Sequence, residues 1–161
     1  MDHVAIRLAH WLSSTSLSHT LKTIGWIIPA LQTIHILAIA VVFSSAMVVN
    51  LRLLRVLDRA EPAAAVAARF LPLIWPGLLV LLVTGSLLIL GEPRRSLETA
   101  TFYVKMACLL VAIGVTLGLR RSVAAPESGR PLVVKSAAAV SILLWTLIIF
   151  AGRWIAYSSQ Y

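Results

Sequence analysis

Residues 24–50, IGWIIPALQTIHILAIAVVFSSAMVVN, determine the fold, because this stretch contains no Lys, Arg, Asp or Glu. It exceeds the roughly 20 helical residues that cross a hydrocarbon core about 30 Å thick. Three further apolar runs of suitable length follow at 71–90, 101–119 and 136–157. Lipid offers no hydrogen-bond partners to the backbone, so each run is predicted to be a transmembrane α-helix.

The composition supports a membrane protein. The 161 residues are 60% hydrophobic and only 12% charged, whereas soluble domains are about half apolar and about a quarter charged. The net charge of +8 comes mainly from basic residues in the short segments between the apolar runs. This distribution is typical of basic membrane loops and argues against nucleic acid as a partner. The one cysteine, Cys108, excludes an internal disulfide.

The segments between the runs predict the topology. Short links make consecutive helices antiparallel neighbours, so an all-α, up-down-up-down four-helix bundle is expected. Glu61-Pro62 predicts a short helix in the 51–70 link, because Pro is favoured in a first helical turn. The 51–71 and 120–135 loops hold eight Lys and Arg residues, against four in the N-terminal and 91–100 segments. The positive-inside rule therefore predicts that these two loops lie in the cytoplasm and that both termini lie on the outer side of the membrane.

The first 22 residues differ from the four-span region at 23–161. They predict an amphipathic helix that lies in the headgroup plane and is broken at Ser13 to Ser18. Its apolar face carries Val4, Leu8, Trp11 and Leu12, and its polar face carries His3, Arg7 and His10.

Three ionisable side chains, His35, Lys105 and Arg153, are predicted inside the spans. Such groups cost about 2.5–3.5 kcal/mol each on insertion scales and mark candidate functional sites. His35 is a potential haem-iron ligand or proton carrier, or it forms a hydrogen bond that packs two helices together. Lys105 and Arg153 either extend to the outer headgroups or hold an anion such as a haem propionate or a substrate carboxylate.

Two further residues belong to this candidate site. Gln32 lies one helical turn before His35, and Trp145 lies on the same helical stripe as Arg153. No span contains an acidic residue, which argues against a proton-driven pump of the usual kind. The Gly114 and Gly118 pair has the spacing of closely packed membrane helices.

Several motifs resemble an uncharacterised family of small bacterial four-helix membrane proteins. They include WIIP (26–29), LQTIH (31–35), NLRLL (50–54), RFLP (69–72), FYVK (102–105) and GRWIAY (152–157). That family is distantly similar to the membrane domain of CopD copper-resistance proteins and to the HemJ-type protoporphyrinogen oxidase. Members of the latter bind haem b and have a key His in the first span and a key Lys in the third. The resemblance implies haem b ligated by His35, with Lys105 near a carboxylate.

Three functions are therefore expected from the sequence. The first is a haem-b-binding redox protein, or the membrane anchor of an oxidoreductase complex, with His35 as axial ligand and Lys105 and Arg153 as propionate partners. Its partners would be the lipid bilayer, a periplasmic redox protein or other membrane subunits, and quinone. The second is a cofactor-free structural or assembly subunit, for which a homo-oligomer is one form. The third is a protein that handles copper or another ion.

Overall fold

The structure is a computed structural model that describes residues 3–57, 61–93, 97, 99–124 and 131–158. These residues form an all-α bundle, which confirms the predicted fold class. Its helices are α1 (His3–Ser13), α2 (Ser16–Thr23), α3 (Ile27–Leu53), α4 (Ala63–Gly91), α5 (Ala100–Ala124) and α6 (Pro131–Ser158). Helices α3 to α6 are each long and apolar enough to cross a bilayer, as in a multi-pass membrane protein.

Helices α4, α5 and α6 extend beyond both ends of the apolar runs that predicted them, whereas α3 begins three residues inside its run and ends three residues beyond it. The short helix expected at Glu61-Pro62 is the first turn of α4, which runs directly into the span. Its opening residues 63–68 are mostly Ala, the strongest helix former, so nothing interrupts the helix before the hydrophobic stretch. Helix α3 ends at Leu53 and includes Arg52 in its last turn. Charged residues mark the edge of the apolar stretch, but they do not end the helix, because Arg is itself a good helix former.

The N-terminal segment folds into two helices instead of one. Only Ser14 and Thr15 separate them, and the Thr15 hydroxyl accepts a hydrogen bond from the Ser18 N–H at the start of α2. In α1, Ala9 is fully buried, whereas Trp11 is largely exposed. The exposed apolar face is therefore available to the membrane interface, while α2 packs against α4 through the buried residues Ser18 and Leu21.

Helices α3 and α4 pair in a seven-residue register. Ile28, His35 and Val42 on α3 lie opposite Gly91, Thr84 and Gly77 on α4. A Cβ atom built on Gly77 would lie 2.5 Å from Val42 Cγ2, and one built on Gly91 would lie 2.5 Å from Ile28 Cδ1. Glycine at these layers lets the two backbones approach closely. A seven-residue repeat keeps the seam facing the partner helix in a left-handed pair.

Helices α5 and α6 form the second close pair. Lys105 lies against Gly152, and this antiparallel register brings Ala112 level with Trp145. Both Ala112 and Trp145 are buried in the main apolar core. The two pairs meet along α3 and α6, whereas α4 and α5 contact each other sparsely. The predicted neighbours along the chain are therefore in contact, but one side of the bundle is open.

The bundle has two different ends. The histidine end, where α3 and α5 begin and α4 and α6 end, contains His35, Thr84, Lys105 and Gly152. The asparagine end, where α3 and α5 end and α4 and α6 begin, contains Asn50, Thr116 and Ser141. The large buried apolar residues, among them Val42, Leu71 and Ile74, lie from the middle of the bundle toward the asparagine end. Arg59, Arg94, Arg95 and Arg130, which enter the charge comparison, lie outside the described residues, as do the side chains of His3 and Val4.

Candidate functional site at the histidine end

His35 is half-buried on the seam between α3 and α4, about 12 Å from the start of α3 at 1.5 Å per residue. Its Nδ1 atom lies 2.7 Å from the Thr84 hydroxyl oxygen. The Thr84 hydroxyl in turn donates to the Val80 carbonyl oxygen at 2.6 Å. The imidazole is thus anchored to one side of the neighbouring helix.

This chain of hydrogen bonds favours one assignment of the proton on the ring nitrogens. The Thr84 hydroxyl has one proton, and that proton is used by the Val80 carbonyl. The contact with His35 is therefore made by Nδ1–H donating to the Thr84 oxygen. In a neutral imidazole, Nε2 then holds the lone pair. No described residue forms a hydrogen bond with Nε2, so the lone pair is available to a ligand.

Lys105 extends toward the same region from α5. Its Nζ atom lies 3.3 Å from the position of a Cβ built on Gly152 of α6, so the lack of a side chain there makes room for the ammonium group. Lys105 is close enough to His35 for an electrostatic interaction. Gly85 lies beside the His35 ring, with a built Cβ 3.4 Å from Cε1. Two glycines therefore flank the two polar groups.

The other predicted site residues are placed less centrally. Arg153 follows Gly152 directly but is exposed, while Gln32 is half-buried one turn before His35. Trp145 is only 4% exposed and belongs to the main apolar core. Its Nε1–H is buried without a hydrogen-bond partner among the described residues. A buried donor without an acceptor costs about 1–3 kcal/mol, so the middle of the bundle retains an unsatisfied polar group.

Thr84 is the functional residue that sequence reasoning missed. Residue type alone does not single it out, because Thr84 is one of three consecutive small residues, Thr84, Gly85 and Ser86, within the second span. The available signal was the seven-residue spacing of Gly77, Thr84 and Gly91, which matches that of Ile28, His35 and Val42. Two matched spacings predict one antiparallel seam, and the seam places a hydroxyl opposite the histidine.

The site resembles a histidine prepared to bind a metal centre at Nε2. Metal-bound histidines usually donate their other ring N–H to a fixed acceptor, which sets the tautomer and the ring orientation. Lys105 supplies a cation that can hold a carboxylate. Among the described residues, no three His, Cys, Asp or Glu side chains lie together so that they could hold a metal ion directly. A histidine and a lysine at one end of the bundle are residue types that can hold a prosthetic group with both a metal and a carboxylate.

The two glycines of α5 do not have the close helix packing that their spacing predicts. Gly114 and Gly118 are exposed, and a Cβ built on either would meet no atom within 4 Å. They do not bring two helices of this chain together.

Comparison with known proteins gives a family but no activity. No curated protein and no solved structure matches the chain. A model described as a family of unknown function, DUF6644, matches residues 8–158, which is nearly the whole sequence. The chain therefore belongs to the DUF6644 family.

Proposed function

We propose that this protein binds haem b through His35 and serves as an electron-transfer protein, or as the membrane anchor of an oxidoreductase complex. The supporting observation is the His35–Thr84–Val80 hydrogen-bond chain, which leaves the Nε2 lone pair without a partner among the described residues. Bound haem would supply one-electron chemistry whose potential depends on its axial ligand and surroundings.

The residues of the chain would have separate tasks. His35 would provide the axial nitrogen, and Thr84 would hold the ring and make Nε2 a better electron donor through its contact with Nδ1. Lys105 would hold a propionate carboxylate, because its ammonium group projects to the same end of the bundle. Gly85 would leave room for a flat group beside the ring. Arg153, exposed next to Gly152, would be the second propionate partner.

The location and partners follow from the same proposal. The asymmetry of Lys and Arg supports an orientation with both termini outside the cytoplasm. The resemblance to small bacterial membrane proteins supports a bacterial inner membrane, in which the outer side is the periplasm. The histidine end would then face the periplasm, since α3 and α5 begin there. A periplasmic redox protein could deliver electrons at this end, with quinone in the bilayer as the acceptor.

An optical spectrum tests the proposal. The protein is purified from cells with ample haem and measured in oxidised and dithionite-reduced forms, alongside His35→Ala and His19→Ala. His19 is an exposed histidine of α2, so it controls for adventitious binding. We expect a Soret band in the wild type and in His19→Ala, and its loss in His35→Ala. A wild type without the band, or an unchanged His35→Ala, would contradict the proposal.

A cofactor-free assembly subunit is the second candidate. The observation that favours it is the exposed Gly114 and Gly118 face of α5, which is open to another helix. If this is the function, a larger complex should co-purify with the wild type and be lost on Gly114→Leu or Gly118→Leu. The copper-handling function stays a prediction. Its one possible thiol ligand, Cys108, is half-buried and packs against the apolar core.

A further inference from the structure

A groove lies on the open side of the bundle at the asparagine end, far along the helices from His35. It has a volume of about 530 Å³ and lies between the first half of α4 and the end of α5. The buried residues Ala67 and Leu71 form its floor. Ala64, Ala68, Pro72 and Trp75 line it from more exposed positions on the same helix.

The groove has the length of one membrane leaflet. Ala64 and Trp75 lie at its two ends on α4, and eleven residues of helix span about 16 Å. Half of a hydrocarbon core about 30 Å thick is about 15 Å. The small side chains near Ala64 leave space, and Trp75 closes the deeper end. An extended hydrocarbon chain parallel to the helices matches this shape.

One cation stands at the mouth of the groove. Arg120 and Val123 of α5 line the side opposite α4, and Arg120 is four residues from the end of that helix. Its guanidinium group is exposed, and no described residue forms an ion pair or hydrogen bond with it. Arginine at this position can bind a phosphate group through charge-assisted hydrogen bonds from its N–H groups.

We propose that this groove binds one anionic phospholipid, with its phosphate on Arg120 and an acyl chain along α4 from Ala64 to Trp75. The charge and the apolar lining are complementary to the two parts of such a lipid. Basic pockets between membrane helices on the cytoplasmic side bind anionic headgroups in this manner. The lipid would fill the gap between α4 and α5, the loosest neighbouring pair of long helices, and so hold the two halves of the bundle together. This proposal does not depend on haem binding.

Native mass spectrometry of the full-length protein tests the headgroup contact. The probes are nanodiscs of phosphatidylglycerol and of phosphatidylcholine with the same acyl chains. We expect one phosphatidylglycerol retained per chain and no comparable retention of phosphatidylcholine. Arg120→Gln should weaken retention about fivefold, the effect of one basic residue near an anionic surface, and Arg120→Lys should restore most of it. Arg121→Gln, the matched control one residue away, should behave like wild type.

A second pair of variants tests the acyl-chain contact. Ala68→Trp fills the groove and should abolish retention, whereas Ala65→Trp, on the same helix but outside the lining, should not. Equal retention of the two lipids, or equal losses in Arg120→Gln and Arg121→Gln, would overturn the proposal. A lipid-free dimer that Ala68→Trp dissociates would also overturn it, because the groove would then hold a second copy of the chain.

Discussion

Both ends of the bundle contain polar side chains within an apolar structure, but the hydrogen bonding of these side chains differs between the two ends. At the asparagine end, Asn50 Nδ2 donates to Ser141 Oγ at 2.9 Å, and both residues are at least 97% buried. Thr116 is also buried there and donates to the Ala112 carbonyl within its own helix. At the histidine end, His35 is half-buried, and neither its Nε2 nor Lys105 Nζ has a hydrogen bond to a described residue.

The difference separates packing from binding. A hydrogen bond closed between two buried partners joins helices and leaves no group for a ligand. The contact of His35 Nδ1 with Thr84 also joins two helices, but it leaves the second ring nitrogen able to bind a ligand. Whether a polar residue in a membrane helix can bind a ligand therefore depends on how many of its hydrogen bonds are formed within the chain.

The largest expected effect distinguishes the two ends by cofactor content. His35→Ala should remove all bound haem and leave the fold intact, because the seam keeps its other layers at Ile28 and Val42. Asn50→Ala should retain haem, since its partner is the distant Ser141. The haem-to-protein ratio and circular dichroism measure both. Equal haem loss in the two variants would mean that the ends are not independent.

The next effect concerns the anchor of the imidazole. Thr84→Val removes the acceptor of the Nδ1 proton, and loss of such an outer contact typically weakens metal-centre binding 10–100-fold. We expect haem affinity to fall by that factor in Thr84→Val and to stay near wild type in Thr84→Ser. Haem transfer to apomyoglobin measures the affinity. A Thr84→Val protein with wild-type affinity would show that the ring is held by other contacts.

The third effect is on stability, and it tests how the packing between α3 and α4 differs along their seam. Gly77→Ala would drive a Cβ into the fully buried Val42, and overpacking of this kind costs about 1–3 kcal/mol. Gly91→Ala, near the histidine end, would meet only the flexible tip of the half-buried Ile28 and should cost less. Thermal unfolding in detergent ranks the two variants. Gly25→Ala, whose Cβ would meet nothing, is the matched control. The reverse order would contradict the packing difference.

The smallest effect is the coupling between Asn50 and Ser141. Double-mutant cycles on hydrogen bonds between membrane helices average about 0.6 kcal/mol. A cycle of Asn50→Ala, Ser141→Ala and the double variant should give a coupling of that size in reversible unfolding. A coupling near zero would show that this hydrogen bond does not stabilise the contact between the two helices.

Much of the fold could be predicted from the sequence. The charge-free run at 24–50 and its three counterparts predicted membrane-spanning helices, because lipid permits few other structures. The helix ends could not be predicted as well, since α3 continues through Arg52 past the end of its apolar run and α4 begins at Ala63, before its run starts. The predicted break at Ser13 to Ser18 is too long, since only Ser14 and Thr15 separate α1 and α2. The Thr15 cap starts α2 within a polar stretch that resembles a loop.

The candidate site was only partly accessible to the same reasoning. The cost of an ionisable group in lipid identified His35, Lys105 and Arg153. That cost did not identify Thr84, which is an uncharged residue that contacts His35 across the seam between α3 and α4. It also did not show that Trp145 belongs to the apolar core.

The sequence by itself determined that this chain forms apolar helices and that a few charged groups are placed inside them at a cost. Both facts depend only on residue type and order. The tertiary structure decided which of these groups form hydrogen bonds within the described part of the chain and which do not. A side chain's hydrogen bonds depend on the helix that faces it and on the register of the two, and only the packed bundle determines both. The same packing left α4 and α5 apart at one end, which no single helix could reveal.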